Sequence, residues 1–274
     1  MKITSLVENT SNGSNLPVEH GLCLHIELDN GKKILFDMGQ GNLFLQNAET
    51  LNINLDKVDV AVISHGHYDH GGGLSTFLKN NSKAPVFLHK KAFEKHYSLR
   101  DNGLTDIGLD DQLKNEKRLR FCEGTTIVDD QMVLVSDVKG NLYKPLGNRL
   151  LFGPQEGVND DFCHEQSLLI KEGNNAVLLA GCAHTGIANI LKKVVLETDT
   201  VPTHVFAGFH LVKSGLDEIA EFDFIRGLAS ELKNYSHTKF FTMHCTGVEQ
   251  YNTLHKFMGE QINYFACGDS MIVE

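Results

Sequence analysis

The chain has 274 residues, of which 41% are hydrophobic and 22% are charged, and its formal net charge is −10. This length suffices for a full hydrophobic core, so we expect a single domain over residues 1–274. The acidic balance argues against a nucleic-acid partner, because phosphate backbones need clustered lysine and arginine, and we expect a small-molecule substrate instead.

Targeting signals and disulfides are not expected either. Residues 1–15 lack the apolar core of a signal peptide, and no later segment offers the roughly 18 apolar residues of a membrane span. Six cysteines are scattered without a Cys-x-x-Cys spacing, which indicates reduced thiols. We therefore expect a cytoplasmic protein without a membrane partner, and the oligomeric state stays open.

The N-terminal region predicts a strand and then a β-hairpin. Residues 2–7 and 21–36 are rich in strand-forming side chains, and residues 29–31 (Asp-Asn-Gly) supply a tight turn within the second segment. His20 lies directly before the hairpin, where a substrate loop could lie, and Asp37 follows it. A lone histidine in such a place is either structural or part of a site.

Residues 58–75 contain the strongest functional signal. A β-branched run at 58–63 predicts a buried strand, and glycines at 71–73 precede a predicted helix at 74–78. The loop between them holds three histidines and an aspartate, namely His65, His67, Asp69 and His70. His65 and His67, which alternate along the loop, can point at one metal ion, while Asp69 and His70 can reach a second ion nearby. Two metal ions therefore fit this loop better than one. Imidazole with carboxylate suits zinc, and also iron, manganese or nickel.

The sequence His-Gly-His-Tyr-Asp-His-Gly-Gly-Gly at 65–73 resembles the hallmark motif of the metallo-β-lactamase superfamily. The resemblance implies a four-layer αββα sandwich of the α/β (α+β) class with a dinuclear metal site at one edge, and most members are hydrolases. Residues 37–39 (Asp-Met-Gly) resemble the superfamily's Asp-Thr-Gly element, with methionine in place of threonine. Asp37 is then expected to hold the metal-binding loop in position without itself binding a metal ion.

The middle of the chain predicts short elements and a basic segment. We predict helices at 43–51 and 90–97, loops at 99–116 and 139–163, and strands at 85–88, 119–122, 125–128 and 132–135. The strands from 119 onward are expected to start the second half of the sandwich. Lysines and arginines, including Arg100, flank the first loop and either anchor a phosphate or carboxylate group or form a solvated surface.

From residue 166 one pattern occurs three times: an apolar strand, a histidine in a glycine-containing turn, and an amphipathic helix. The turns contain His184, His210 and His244. Active groups in α/β folds gather at strand ends that are followed by helices, so we expect these histidines at the same edge as residues 65–70. The expected metal ligands are His65, His67 and His184 for one ion, and Asp69, His70 and His244 for the other.

The turns at 181–186 (Gly-Cys-Ala-His-Thr-Gly), 208–211 (Gly-Phe-His-Leu) and 243–247 (Met-His-Cys-Thr-Gly) resemble one branch of the superfamily. That branch is related to 7,8-dihydropterin-6-methyl-4-(β-D-ribofuranosyl)aminobenzene-5′-phosphate synthase, and the implied reaction joins an arylamine to a pterin methyl carbon with loss of pyrophosphate. Many superfamily hydrolases have a Gly-Asp pair whose carboxylate bridges both metals, whereas this chain has Cys182 at the equivalent point. Cys182 is either a ligand or a packed thiol, and His164 is a further open candidate.

Three functions follow as hypotheses. The first is a dinuclear hydrolase of a small phosphate- or carboxylate-bearing substrate, in which two divalent ions, zinc foremost, generate hydroxide as the nucleophile. There, Asp69 orients the water, and His210 stabilises the developing oxyanion or protonates the leaving group. The alternative is a pterin-type synthase in which the metals hold a pyrophosphate leaving group. The third is a non-hydrolytic metal-binding or di-iron sensor protein.

Overall fold

Short apolar runs separated by polar turns form the strands of the computed structural model, which describes residues 1–274. In chain order the strands are β1 (Lys2–Val7), β2 (Cys23–Glu27), β3 (Lys33–Phe36), β4 (Val60–Val62), β5 (Val86–His89), β6 (Tyr97–Arg100), β7 (Gly103–Asp106), β8 (Leu119–Cys122), β9 (Thr125–Ile127), β10 (Met132–Ser136), β11 (Leu151–Phe152), β12 (Gln166–Glu172), β13 (Asn175–Ala180), β14 (His204–Ala207), β15 (Lys239–Thr242), β16 (Ile262–Tyr264) and β17 (Ser270–Ile272). One sheet has the order β17-β1-β2-β3-β4-β5-β8 and a second has the order β16-β15-β14-β13-β12-β10-β9. A small third sheet has the order β11-β6-β7.

Helices cover the outer faces of the two large sheets. They are α1 (Leu43–Thr50), α2 (Tyr68–Gly71), α3 (Leu74–Asn80), α4 (Ile187–Thr198), α5 (Glu218–Leu232) and α6 (Val248–Met258), with short 3-10 turns at Leu55–Lys57, Asp111–Leu113, Leu146–Leu150, His244–Thr246 and Gly259–Gln261. Apolar residues of α1 and α3 pack on the first sheet, and those of α4, α5 and α6 pack on the second. None of these helices combines the length and the apolar character that crossing a bilayer requires.

The core consists of three apolar layers, because side chains alternate between the two faces of each strand. In β13, Val177 and Leu179 point between the sheets, whereas Leu178 points toward the helices. Phe36 and Phe206 enter the same central layer from opposite sheets. Burying a side chain of this size contributes roughly 1.5–3 kcal/mol. The result is the four-layer αββα sandwich that the metal motif led us to expect.

Parallel strand pairing brings the functional loops to one edge. The strands β3, β4 and β5 run parallel in the first sheet, and β13, β14 and β15 run parallel in the second. Their carboxyl ends therefore lie together within each sheet. The Gln166 N–H donates to the Ser64 carbonyl at 2.8 Å, which joins the sheets at this edge. The loops after β4, β13, β14 and β15 are thus neighbours.

Three local expectations were wrong. Residues 90–96 form turns rather than a helix, and residues 97–106 form the β6–β7 hairpin rather than part of a loop. The hairpin signal is Asn102-Gly103 between two alternating segments, a turn whose geometry suits tight hairpins. β8 also belongs to the first sheet, where it pairs in parallel with β5, and so the second sheet begins only with β9.

Candidate metal centre

The first set of expected ligands forms a compact group of imidazole rings. The ring centroids of His65 and His67 are 4.5 Å apart, and each lies 5.0 Å from that of His184. All three side chains are buried, and all three Nε2 atoms lack a hydrogen-bond partner. The loop after β4 and the loop after β13 therefore bring these three rings together. The ligand atoms of His65 and His184 lie within 4.8 Å of each other, whereas those of His67 are grouped with His96, Asp160 and His164.

The second set lies directly beside the first. His70 Nε2 and His244 Nε2 are 3.2 Å apart, and Asp69 Oδ2 lies 3.3 Å from the His244 nitrogen and 3.7 Å from the His70 nitrogen. His65 joins the two sets, since its ring centroid is only 4.1 Å from that of His70. His20, which the sequence left open, also reaches this set, with Nε2 at 3.2 Å from Asp69 Oδ2.

The hydrogen bonds behind His65 and His70 determine which nitrogen atom each ring offers. Asp37 accepts bonds from the Ser64 N–H at 2.7 Å and from the Ser64 hydroxyl at 2.8 Å. The Ser64 oxygen is then the acceptor for the proton on His65 Nδ1, at 2.8 Å. Asp37 Oδ2 likewise accepts from His70 Nδ1 at 2.7 Å. In both rings the proton is on Nδ1, and so Nε2 is free to act as a ligand.

An asparagine fixes each of the two C-terminal histidines in the same manner. The Asn148 amide N–H donates to the His184 carbonyl at 2.8 Å, so its oxygen faces His184 Nδ1 at 3.0 Å. Asn9 makes the equivalent bonds to the His244 carbonyl at 3.5 Å and to His244 Nδ1 at 2.8 Å. Each amide oxygen accepts the Nδ1 proton, which again leaves Nε2 as an acceptor.

A buried glutamate also holds the backbone of each of these histidines. Glu165 accepts the His184 N–H at 2.6 Å, and Glu8 accepts the His244 N–H at 2.6 Å. His244 itself has φ +53°, and Ala183 has φ +51°. Such a left-handed conformation costs an ordinary residue roughly 1–2 kcal/mol. The charged hydrogen bonds offset this strain and turn the imidazoles toward the centre.

Burial and neighbouring charges shift the pKa of the first-set histidines and that of His70 in opposite directions. Burial, followed by the adjacent histidines, holds the pKa of His65 and of His184 well below the usual value. Burial also lowers the pKa of His67. For His70, burial acts downward, but Asp37 and Asp69 outweigh it and raise the pKa. The first set is therefore neutral at pH 7, which is the form in which imidazole binds metal ions.

These donor atoms are compatible with divalent metal ions. A buried polar atom without a partner costs roughly 1–3 kcal/mol, and each ring of the first set has one such nitrogen atom. In the second set two Nε2 acceptors face each other at 3.2 Å, an arrangement that needs a proton or a cation between them. Imidazole nitrogen and carboxylate oxygen are ordinary ligands of first-row divalent metals.

A second histidine cluster adjoins the centre but has its hydrogen bonds largely satisfied. Asp160 Oδ2 accepts from His96 Nδ1 at 2.8 Å and lies 3.2 Å from His164 Nε2. The Gly66 N–H donates to His164 Nδ1 at 2.9 Å, so His164 carries its proton on Nε2 and donates it to Asp160. His164 thus uses both ring nitrogens in the hydrogen-bond network.

Members of both sets line a cavity of about 480 Å³, namely His67 and His184 of the first set and Asp69 and His244 of the second. Its wall includes His210, whose ring centroid is 4.3 Å from that of His184 and whose buried Nδ1 has no hydrogen-bond partner. Two cationic side chains, Arg100 and Lys213, also line this cavity. The predicted basic segment therefore contributes Arg100 to the cavity, through β6.

Sequence reasoning missed the residues that hold the histidines in place. Asn148 lies in the 3-10 turn Leu146–Leu150, and Asn9, Glu8 and Glu165 lie in loops or at strand ends, where such residue types are common. Their partners are 19 to 236 positions away along the chain, as in the bond from His184 to Glu165 and the bond from His244 to Glu8. A buried glutamate is unusual without a partner, but burial is not visible in a sequence.

Comparison with known proteins agrees with this architecture. A sequence model of the metallo-beta-lactamase superfamily matches residues 16–153, which is half of the chain. An uncharacterized protein of Methanocaldococcus jannaschii is 29% identical, over 97% of this chain and 96% of its own length. The 7,8-dihydropterin-6-methyl-4-(beta-D-ribofuranosyl)-aminobenzene-5′-phosphate synthase of the same organism is 28% identical, over 92% of this chain and 90% of its own.

A solved structure agrees over the full length. Tm1679, described as a metal-dependent hydrolase of the beta-lactamase superfamily, superimposes with a TM-score of 0.82 and 30% identity, covering 100% of this chain and 99% of Tm1679. The αββα layers, the histidine motif after β4 and these matches lead to the same conclusion. The chain belongs to the metallo-β-lactamase superfamily.

Proposed function

We propose that this protein is a dinuclear metal-dependent hydrolase of a small molecule that carries a phosphate or carboxylate group. In this proposal His65, His67 and His184 bind one ion, and Asp69, His70 and His244 bind the other. The observation that carries it is the packing of three buried imidazoles, each with an unpartnered Nε2 atom, of which His67 and His184 line the cavity. Zinc is the metal that we expect first, because the donors are nitrogen and oxygen.

The shape and charge of the cavity support this substrate class. Its volume of about 480 Å³ suits a metabolite-sized ligand, since such sites span roughly 300–1,000 Å³. Arg100 and Lys213 provide two positive charges in the wall, and a guanidinium pairs well with phosphate or carboxylate. Ile107, Leu151 and Val212 add apolar surface for the body of the substrate. The substrate is thus an anion with an apolar or ring-shaped part.

The roles of the polar side chains follow from their positions. Divalent ions at this site supply an acidified water and compensate charge on the leaving oxygen. Asp69 accepts a hydrogen bond from water and so orients it toward the substrate. His210, at the cavity wall beside His184, hydrogen-bonds the developing oxyanion or protonates the leaving group. His20 holds Asp69 from the solvent side.

A second candidate function rests on the similarity to the dihydropterin synthase of Methanocaldococcus jannaschii, which extends over 92% of this chain. In a synthase of that kind the same cavity receives a pterin pyrophosphate and an arylamine. Arg100, Lys213 and the metal ions then hold the pyrophosphate leaving group, and the amine rather than water forms the new bond. Exclusion of water from the cavity would be the decisive difference.

The experiment is metal analysis of protein purified without chelator, followed by product analysis. Two metal ions per chain, and hydrolysis of phosphodiesters, lactones or thioesters that stops on chelation and returns with zinc, support the hydrolase. Formation of a carbon–nitrogen bond from a pterin pyrophosphate and an arylamine, without hydrolysis, supports the synthase instead. Protein that is folded and binds no divalent metal would contradict both.

The anion site has its own test in two charge-removing variants. Arg100→Gln and Lys213→Gln each remove one positive charge from the cavity wall, and each should raise KM for an anionic substrate by roughly 10-fold. Lys117→Gln, in an exposed residue on the turn before β8, is the matched control. An unchanged KM in both cavity variants would show that the anion binds elsewhere.

A further inference from the structure

The thiol of Cys182 lies at the boundary between the two ligand sets. Its Sγ is 3.2 Å from His70 Nε2 in the second set. The sulfur lies within 4.8 Å of ligand atoms of His65 and His184, and also within 4.8 Å of those of His70 and His244. Only 3% of Cys182 is exposed, so this contact with both sets takes place away from solvent.

The backbone explains why a side chain at this position reaches both sets. Gly181 begins the turn after β13 and lies so close to the metal loop that a Cβ there would be 2.2 Å from Ser64 Oγ and 3.0 Å from His65 Nδ1. The Gly181 carbonyl accepts the Gly208 N–H at 2.8 Å, which fixes the turn against the next parallel strand. The following residue, Cys182, is therefore held between the two sets, with its sulfur close to ligand atoms of both.

Charge balance favours a thiolate at this position. The first set contains three imidazoles and no carboxylate, and the second contains one carboxylate, Asp69. Two divalent ions bring four positive charges to a buried site, where uncompensated charge is costly. A sulfur that makes bonds of about 2.3 Å can contact two ions that are roughly 3.5–4 Å apart. A cation also removes the proton of a coordinating thiol.

We propose that Cys182 is a shared metal ligand, with its thiolate in contact with the ions of both sets. The proposal rests on the metal pair of the proposed function. As the ions bind, the S–H bond breaks and the proton passes to solvent, so that Sγ exchanges its contact with His70 Nε2 for bonds to metal. The neighbouring Cys245 is equally buried, at 3% exposure, but belongs to neither histidine set.

The test is titration of the metal-free full-length chain with cobalt(II), read by the near-ultraviolet sulfur-to-cobalt charge-transfer band. A shared thiolate makes the band grow with the first equivalent and again with the second. X-ray absorption of the zinc-loaded protein should show a sulfur neighbour at about 2.3 Å around every zinc ion. Cys245→Ser is the matched control and should retain both signals.

Two substitutions of Cys182 separate ligation from packing. Cys182→Ser should lose the band and bind the second ion at least ~10-fold more weakly. Cys182→Asp should bind two ions again, without the band, because a carboxylate restores the negative charge. Circular dichroism shows whether each variant is folded.

Several results would overturn the proposal. A band that stops growing after the first equivalent would mean that the thiolate contacts one ion only. A band that persists in Cys182→Ser would assign the sulfur to another cysteine. Two bound ions with no sulfur neighbour would refute ligation by Cys182 and leave the proposed function intact, whereas failure to bind any divalent ion would refute both.

Discussion

The two ligand sets differ in how their donor atoms are arranged. In the first, the Nε2 atoms of His65, His67 and His184 have no hydrogen-bond partner. In the second, His70, His244 and Asp69 contact one another at 3.2 to 3.7 Å. Donors around a tetrahedral zinc ion with bonds of roughly 2.0–2.1 Å lie roughly 3.3 Å apart, so the second set already has the spacing of ligands to one ion. The first set consists of imidazoles alone, whereas the second adds the carboxylate of Asp69.

The two sets have the same kind of support, so the difference lies in the donors themselves. One asparagine and one glutamate hold His184, and one asparagine and one glutamate hold His244. This similarity implies that both imidazoles are oriented equally well. We infer that any difference in affinity between the two ions comes from the donor types, three imidazoles against two imidazoles and a carboxylate, and not from the rigidity of the ligands.

The largest effect is expected from removing one ligand of each set. His67→Ala should lose the ion of the first set and His244→Ala that of the second, and each should lower the rate by more than about 100-fold. His67 is the cleanest choice in its set, because its Nε2 makes no hydrogen bond and the other two rings each use Nδ1 in one. Metal content by mass spectrometry and the initial rate are the measurements.

The matched control for these variants is His237→Ala, in an exposed residue before β15. It should keep both ions and the full rate, and all three variants should remain folded. If His67→Ala and His244→Ala both retained two ions, the ligand assignment would be wrong. Loss of both ions in either variant would mean that the sets do not bind independently.

A smaller effect is expected from the asparagines that orient the histidines. Asn148→Ala should weaken binding at the first set, and Asn9→Ala should weaken binding at the second, each by roughly 10–100-fold in affinity. Each variant serves as the control for the other, because each asparagine contacts only one of the two histidines. Zinc titration against a competing chelator gives both constants. Equal weakening of both ions in one variant would contradict separate support.

The sequence predicted the parts of the centre that depend on local pattern. The strand before His65 and the three strand–histidine–helix units were found because β-branched runs, glycines and helical periodicity are local signals. Convergence at one edge followed from the parallel pairing rule and agrees with the positions of β13, β14 and β15. The β6–β7 hairpin was missed because its strands are short and half exposed.

The supporting residues could not be predicted, because their partners are set by tertiary structure. Glu8 lies 236 positions from His244, and no spacing in the sequence relates the two. The same holds for Gly66 and His164, which are 98 positions apart and whose hydrogen bond decides that His164 offers no free nitrogen to a metal. The sequence named His184 as an expected ligand and left His164 open, and the hydrogen bonds of His164 now argue against a role for it as a ligand.

The smallest effect is expected from His25 in β2, a buried imidazole outside the candidate metal centre that makes stability depend on pH. Its Nε2 is buried without a partner, as in the first ligand set, but it belongs to no cluster of metal-ligand residues. Burial, helped by Lys33 and opposed by Glu27, lowers the pKa of His25 to about 4 from the ordinary 6.5. Between these values the unfolded chain binds more protons than the folded one.

His25 therefore has no destabilising effect above pH 6.5. As the pH falls from 6.5 toward about 4, the free energy of unfolding decreases because the unfolded chain takes up the proton more readily. Acidification to about pH 5.5 should cost roughly 1 kcal/mol through this residue. His25→Leu should remove that part of the pH dependence, as measured by urea unfolding at pH values on either side of 6.5, while metal content stays unchanged.

His237→Ala, at the exposed site, should keep the full dependence. An unchanged pH dependence in His25→Leu would mean that the acid sensitivity comes from the ligand histidines, and metal loading should then abolish it.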